Sequence, residues 1–207
     1  MLLTTSMATL STLARCVGKE KFSREFADQC LNIGMQLVQS NDDPDVRKCA
    51  YNLFGAVATI VKEDMAAVLE SCVTLMLKTL VSTEGITFEL ADDVAESNLP
   101  LENLDDEDDE ICLDNTDDDA GGDADDLENL KSVNVENAYV SEKEQALLTL
   151  KELSSECGAA FYPFIYQSLE ESWTMLDYMD GDVRCAAMLA TSAFLVAYYK
   201  SGQGKGQ

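Results

Sequence analysis

The residues with the clearest chemical potential are carboxylates, and they are concentrated in one stretch. Between Leu101 and Leu130 the sequence holds fifteen Asp or Glu and no Lys or Arg. The wider window Thr79–Leu130 has 20 acids and no bases, so it carries -20 of the formal net charge of -25. Such a run attracts Lys- and Arg-rich partners through many weak, salt-screened ion pairs. The same charge argues against nucleic-acid binding, because phosphates are neutralised by Lys and Arg.

We expect the densest runs of acids to make the strongest contacts with a basic partner. Their effects add through high local concentration, without a fixed geometry. The predicted contact residues are Asp105, Asp106, Glu107, Asp108, Asp109 and Glu110, with Asp117, Asp118 and Asp119 as a second cluster. The alternative is a solvated linker whose charge serves only solubility.

Two other chemistries fit the same stretch less well. The spacing of Asp117–Glu128 places acids and Gly122 where a calcium loop has them. However, Ala124 stands where a larger apolar residue is usual, and no amphipathic helices flank the loop. We therefore predict no metal site. Thr116 precedes three Asp and is a candidate for an acid-directed kinase, whose phosphate would deepen the negative field.

Catalysis has little support in the sequence. The chain has no His, no Gly-rich phosphate loop and no nucleophile motif. Its seven Cys form no C-x-x-C pair, which favours a reducing compartment over a disulfide framework or a zinc site. We predict no enzyme, no cofactor and no membrane span, since no long uninterrupted apolar run occurs. The acid-free N-terminal stretch also fits a mitochondrial presequence, the alternative to a first scaffold helix.

The flanks that must position the carboxylates show apolar residues at helical spacing. The segment 83–135 is predicted to be a disordered acidic insertion, the segment 201–207 a flexible tail, and no strand is expected. Helices are predicted at about 1–17, 22–39, 45–61, 65–81, 142–157, 161–178 and 183–199.

An internal repeat organises these helices. The segments Asp45–Ala50 (DVRKCA) and Asp182–Ala187 (DVRCAA) are two copies of one signature. When the segment 83–135 is left out, the copies lie two periods apart, each of roughly 42 residues, which falls in the range typical of HEAT and armadillo repeats. A weaker third copy, Ser141–Ala146 (SEKEQA), lies at the midpoint.

The sequence therefore predicts an all-α HEAT-repeat α-solenoid of antiparallel helix pairs, each with an A and a B helix. The acidic insertion falls between the two helices of one repeat, and the chain is expected to be part of a longer solenoid. Asp45 and Asp182 are predicted to cap B helices, while Arg47 and Arg184 are predicted to bond an Asp of a neighbouring repeat. Lys143 stands at the corresponding place in the third copy.

Taken together, the sequence resembles the importin-β-type nuclear transport receptors. The most specific match is Val135–Glu144 (VENAYVSEKE) beside an acidic insertion. The other stretches that carry the resemblance are Ser82–Ile86, Leu101–Leu104 with the acids after it, and Phe161–Ile165 followed by Asp182–Arg184.

The resemblance implies a carrier that moves basic cargo, such as histones or ribosomal proteins, through nuclear pores. It further implies release of cargo by Ran-GTP, contact with nucleoporins, and residence in cytoplasm and nucleus. This chain would form a middle portion of such a receptor. The alternative function is an acidic histone-chaperone-like protein or a structural HEAT scaffold, such as a phosphatase-type subunit, without a Ran cycle.

Overall fold

A computed structural model describes residues 2–90 and 130–202 of the chain. It divides into a helical unit, made of Met1–Ser82 and Asn137–Gln207, and a second unit, Thr83–Glu136. The helices of the first unit are α1 (Leu2–Lys21), α2 (Arg24–Ser40), α3 (Pro44–Val61), α4 (Ala66–Val81), α5 (Asn137–Glu156), α6 (Ile165–Thr174) and α7 (Gly181–Lys200). Short 3₁₀ turns lie at Lys62–Met65, Gly158–Phe164 and Met175–Asp177.

The helices stack in the order that the repeat predicts. Helices α1, α3, α5 and α7 pack one on the next as the B helices, and α2, α4 and α6 pack on α3, α5 and α7 as the A helices. Between the two layers lie large, fully buried side chains, among them Tyr51, Phe54, Leu147, Phe161 and Phe194. The predicted all-α HEAT-like solenoid is thus confirmed.

The caps of the B helices differ from the prediction. Asp43, not Asp45, is the N-cap of α3, and its side chain accepts a hydrogen bond from the Asp45 N–H because Pro44 occupies the first helical position. Asp180, not Asp182, caps α7 in the same way. The two predicted residues lie in the first turn instead, where a carboxylate still interacts favourably with the helix dipole.

Several helix boundaries also shift. Helix α1 runs to Lys21 across a break at Gly18, whose φ of 65° lies in the left-handed region that glycine tolerates. Helix α5 begins at Asn137, ahead of the predicted start near Glu142. The predicted helix 161–178 is split into a 3₁₀ turn, α6 and a second 3₁₀ turn, since Pro163 lacks the N–H that a regular helix needs.

The second unit contains strands, so the prediction of no strand was wrong. Strand β1 (Ile86–Leu90) pairs with β2 (Leu130–Val135) in an antiparallel hairpin, with Ile86 opposite Val135 and a register shift at Glu89/Leu90. The alternation of apolar and polar residues in ITFEL is a period-two signal for a strand. The predicted disorder of the intervening residues 91–129 lies outside the described residues.

The cysteines among the described residues differ in exposure, and Cys49 is intermediate. Cys30, Cys72 and Cys157 are buried, whereas Cys16 and Cys185 are exposed. Burial raises the pKa of the Cys72 thiol and of the Cys157 thiol to about 12. In the part of the chain that the structure describes, no helix is long and apolar enough to cross a membrane.

Candidate functional site

The predicted contact carboxylates lie outside the described residues, as do Thr116 and the segment 117–128, for which no calcium site is predicted. These carboxylates are Asp105, Asp106, Glu107, Asp108, Asp109, Glu110, Asp117, Asp118 and Asp119. The structure describes instead the helical framework on either side, where α4 ends before the acidic segment and α5 begins after it. Over residues 2–90 and 130–202, no group of three or more His, Cys, Asp or Glu is placed to hold a metal ion.

Lys143 joins these two helices through its ammonium group. The Nζ atom donates to the carbonyl oxygens of Thr79 at 2.7 Å, Leu80 at 2.9 Å and Ser82 at 2.7 Å. These carbonyls belong to the last turn of α4 and its C-cap, where a cation also meets the negative end of the helix dipole. The residue is only 2% exposed, and the ring of Tyr178 lies 5.8 Å from Nζ. Lys143 therefore has its three N–H groups directed at acceptors although it is buried.

The corresponding residues of the other two repeats make the same kind of contact. Arg47 Nη1 donates to the Asp42 carbonyl at 3.1 Å, just after α2. Arg184 Nη1 donates to the carbonyls of Tyr178 at 2.8 Å and Met179 at 2.7 Å, just after the turn that follows α6. The basic residue of the repeat signature thus ties the start of each B helix to the end of its A helix. Carbonyl groups accept from all three basic residues, and Arg47 also donates to the carboxylate of Glu142 in the next repeat.

Glu142 is the partner of Arg47 across the repeat boundary. Arg47 Nε and Nη2 donate to the two carboxylate oxygens at 2.8 and 2.9 Å. The side chains are 13% and 2% exposed, so water screens this pair weakly. The Thr79 hydroxyl donates to Glu142 Oε1 at 2.9 Å. Because a hydroxyl has a single hydrogen, the same group accepts from the Tyr51 hydroxyl at 2.8 Å. Burial raises the pKa of Tyr51, which keeps it protonated as the donor.

This network connects three helices through one carboxylate. Arg47 and Tyr51 come from α3, Thr79 comes from α4, and Glu142 comes from α5. A buried carboxylate is costly unless it is paired and fully hydrogen-bonded, and Glu142 has both kinds of partner. The arrangement fixes α5 against the preceding repeat at the point where the chain returns from the acidic segment.

A second ion pair lies farther along α5. Arg15 of α1 donates from Nη1 and Nη2 to the Glu152 carboxylate at 2.7 and 2.8 Å, and from Nη2 to Asn52 Oδ1 at 3.2 Å. The pair crosses α3 at Gly55, where an added Cβ would meet Glu152 Oε2. The hydrogen bonds to Glu152 raise the pKa of Arg15. Because the side chains are 36% and 30% exposed, water screens this pair more strongly than the buried one.

Sequence reasoning identified Lys143 by its place in the repeat but missed Glu142. In the repeat alignment Glu142 occupies the position of Val46 and Val183, both of which are buried. A carboxylate at an apolar position of the register indicates a buried pair, since an isolated buried charge is not tolerated. That signal was available from the sequence, although its partner Arg47, far away in the chain, was not.

No protein-family model matches the chain. Three curated proteins are similar to it along nearly its whole length. Importin-4 of Homo sapiens is 36% identical over 198 residues, and importin-4 of Mus musculus is 33% identical over 206 residues. The probable importin subunit beta-4 of Schizosaccharomyces pombe is 25% identical over 202 residues. These alignments cover 95–96% of this chain but only 17–18% of each relative, so the chain spans less than a fifth of their length.

Proposed function

We propose that this chain acts as part of a nuclear import receptor that binds basic protein cargo. The chain is importin-4-like over nearly its whole length and so related to the importin-β family. The observation that carries the proposal is the distribution of charge. Of the net charge of -25, the window Thr79–Leu130 carries -20 and the rest of the chain -5. A polyanion that is inserted in a helical repeat offers a basic partner a high local concentration of carboxylates.

The framework on either side of the segment supports this role. Lys143 and Glu142 hold α5 against α4 and α3, so both helices that adjoin the acidic segment belong to one packed unit. A tethered polyanion of this kind raises the rate at which a basic partner is captured, and the effect falls with ionic strength. The proposed contact residues are the carboxylates at 105–110 and 117–119.

The proposed cargo class is basic proteins such as histones or ribosomal proteins, whose Lys and Arg complement the carboxylates. Ran-GTP as the release signal, nucleoporins as transport contacts, and shuttling between cytoplasm and nucleus are proposed from the relationship to importins. The proposal assigns the chain no catalytic step.

Binding of a fluorescent histone-tail peptide tests the proposal. Deletion of 101–130 is expected to weaken binding at least about tenfold at low salt, because fifteen carboxylates are removed. The control variant replaces the same segment by a Gly/Ser linker of equal length, which keeps the spacing and removes the charge. Equal affinity of all three proteins, with no dependence on salt, would exclude the acidic segment as the cargo site.

The charge distribution also fits a second function, that of a histone-chaperone-like protein or HEAT scaffold without a Ran cycle. Both functions predict salt-dependent binding of basic peptides, so the peptide assay does not separate them. Addition of Ran-GTP to a complex of the full-length protein with its basic cargo does. An import receptor releases the cargo, whereas a chaperone or scaffold retains it.

A further inference from the structure

Lys143 has a role that does not depend on cargo binding. We infer that its hydrogen bonds keep α4 and α5 packed together, a task that a short loop performs in the other helix pairs. The helical unit therefore stays assembled when the acidic segment is cut.

The connections within the helix pairs differ greatly in length. Three residues separate α2 from α3, and three separate the turn ending at Asp177 from α7, whereas the connection from α4 to α5 extends from Ser82 to Glu136. Three residues limit the distance between two helix ends tightly, whereas a connection from Ser82 to Glu136 is long enough to span a far larger distance, so its length alone does not keep α4 and α5 together. The hairpin β1–β2 offsets this only in part, because an isolated two-stranded hairpin is marginally stable in water. Side-chain contacts must therefore hold this helix pair together.

Lys143 contacts its A helix more directly than the corresponding basic residues of the other two repeats do. Arg47 and Arg184 donate to carbonyls that follow their A helices, whereas Lys143 donates to two carbonyls in the last turn of α4 and to the carbonyl of its C-cap. The three acceptors end with Ser82, the last residue of the helical unit before the acidic segment. Loss of the ammonium group would leave the buried carbonyls of Thr79 and Leu80 without this donor.

The same network extends the hold to the preceding repeat. Glu142, the neighbour of Lys143, accepts from Thr79 of α4 and from Arg47 of α3. Together the two residues fasten α5 to both helices on the N-terminal side of the acidic segment. All of these contacts lie outside the segment, so cutting it removes none of them.

The test uses the complete sequence with a site for a specific protease inserted between Gly121 and Gly122. Co-expression of Met1–Gly121 with Gly122–Gln207 provides the same break without a protease. We expect the two pieces to co-elute as a one-to-one complex on size exclusion. We also expect the amide protons of α5 to exchange at rates within about threefold of those in the uncut chain. Pieces that separate, or an α5 that loses its protection on cutting, would overturn the inference.

Three substitutions then test whether Lys143 is responsible for the association of the two pieces. K143M removes the donors and is expected to weaken association of the cut pieces by about a hundredfold or more, since it breaks charged hydrogen bonds in a buried site. K143R keeps the donors and is expected to stay within about tenfold of the parent. K151M, the matched control, makes the same charge change on α5 and is expected to have no effect. Equal association of K143M and K151M would contradict the assignment, as would failure of K143R to restore association.

Discussion

The two ion pairs of α5 provide a sharp comparison of buried and exposed charge. Glu142 and Glu152 lie on the same helix, and each accepts two hydrogen bonds from an Arg of an earlier helix. The main difference is exposure, since the Glu142 side chain is 2% exposed and that of Glu152 30%. The structure therefore predicts very different costs for the same substitution, Glu to Gln, at the two positions.

The cost at Glu142 follows from what the substitution leaves behind. Glu142→Gln removes the negative charge that faces the Arg47 side chain, which is 13% exposed, and it leaves Thr79 with a weaker acceptor. Breaking a buried pair in this way costs about 3–5 kcal/mol, and we expect the lower end because the amide oxygen still accepts one hydrogen bond. In a chain of this size that corresponds to a fall in melting temperature of roughly 10 °C. Glu152→Gln is expected to cost less than about 1 kcal/mol, because exposed pairs contribute little.

Urea unfolding followed by far-ultraviolet circular dichroism measures both free energies of unfolding. The double variant Arg47→Met with Glu142→Met controls for the origin of the effect. It is expected to be more stable than Glu142→Gln, because it removes both charges of the pair together. If the two Glu→Gln variants differ by less than about 1 kcal/mol, or the double variant is the least stable, the proposed role of burial is refuted.

Other parts of the helical unit give further predictions. Gly34→Ala is expected to lower the free energy of unfolding by about 1–3 kcal/mol, because its Cβ would lie 2.6 Å from Cε1 of the buried Phe54 ring. In contrast, Gly55→Ala is expected to change it by less than about 1 kcal/mol. At Gly55 the new methyl group meets the ends of the Glu152 and Arg15 side chains, which can shift, and the helix preference of Ala offsets the weakened ion pair. Urea unfolding of both variants checks the contrast. Alkylation at pH 8, mapped by mass spectrometry, is expected to modify Cys16 and Cys185 first, with Cys72 and Cys157 unmodified in the folded protein. This order is expected because both buried thiols have a pKa of about 12, so only about one part in ten thousand is thiolate at pH 8. Labelling of Cys72 or Cys157 before Cys16 would contradict their burial. Raising the pH toward 10 is expected to increase the labelling of these two thiols, because the thiolate fraction rises with pH below the pKa.

The solenoid could be predicted from the sequence because the repeat signature recurs at a multiple of a known period. The DVR signature recurs at twice the HEAT period once the acidic segment is removed, and that alone placed the segment between an A helix and a B helix. The caps were misplaced by two residues because Pro44 and Gly181 occupy the first helical position, which moves the cap to the preceding Asp. Both errors lie at helix ends, where local side-chain chemistry decides the boundary.

Other features depended on contacts that sequence spacing does not show. The strands on either side of the acidic segment were missed because each is short and helical periodicity dominates the flanks. Glu142 appeared in a repeat copy only as a departure from the apolar pattern. Its role became visible when Arg47 of the preceding repeat and Thr79 of α4 met at its carboxylate. Pairing across a repeat boundary is a long-range property that the linear pattern does not encode.

The central claim, that the acidic segment binds basic cargo by charge, is tested most directly by neutralising the charge without changing the length of the chain. The variant replaces the nine carboxylates at 105–110 and 117–119 by Asn or Gln, and affinity for a histone-tail peptide is measured from low to physiological salt. The account predicts that the parent protein binds at least about tenfold more tightly at low salt, and that the difference shrinks steadily as salt increases. Equal affinity of variant and parent at every salt concentration would contradict it.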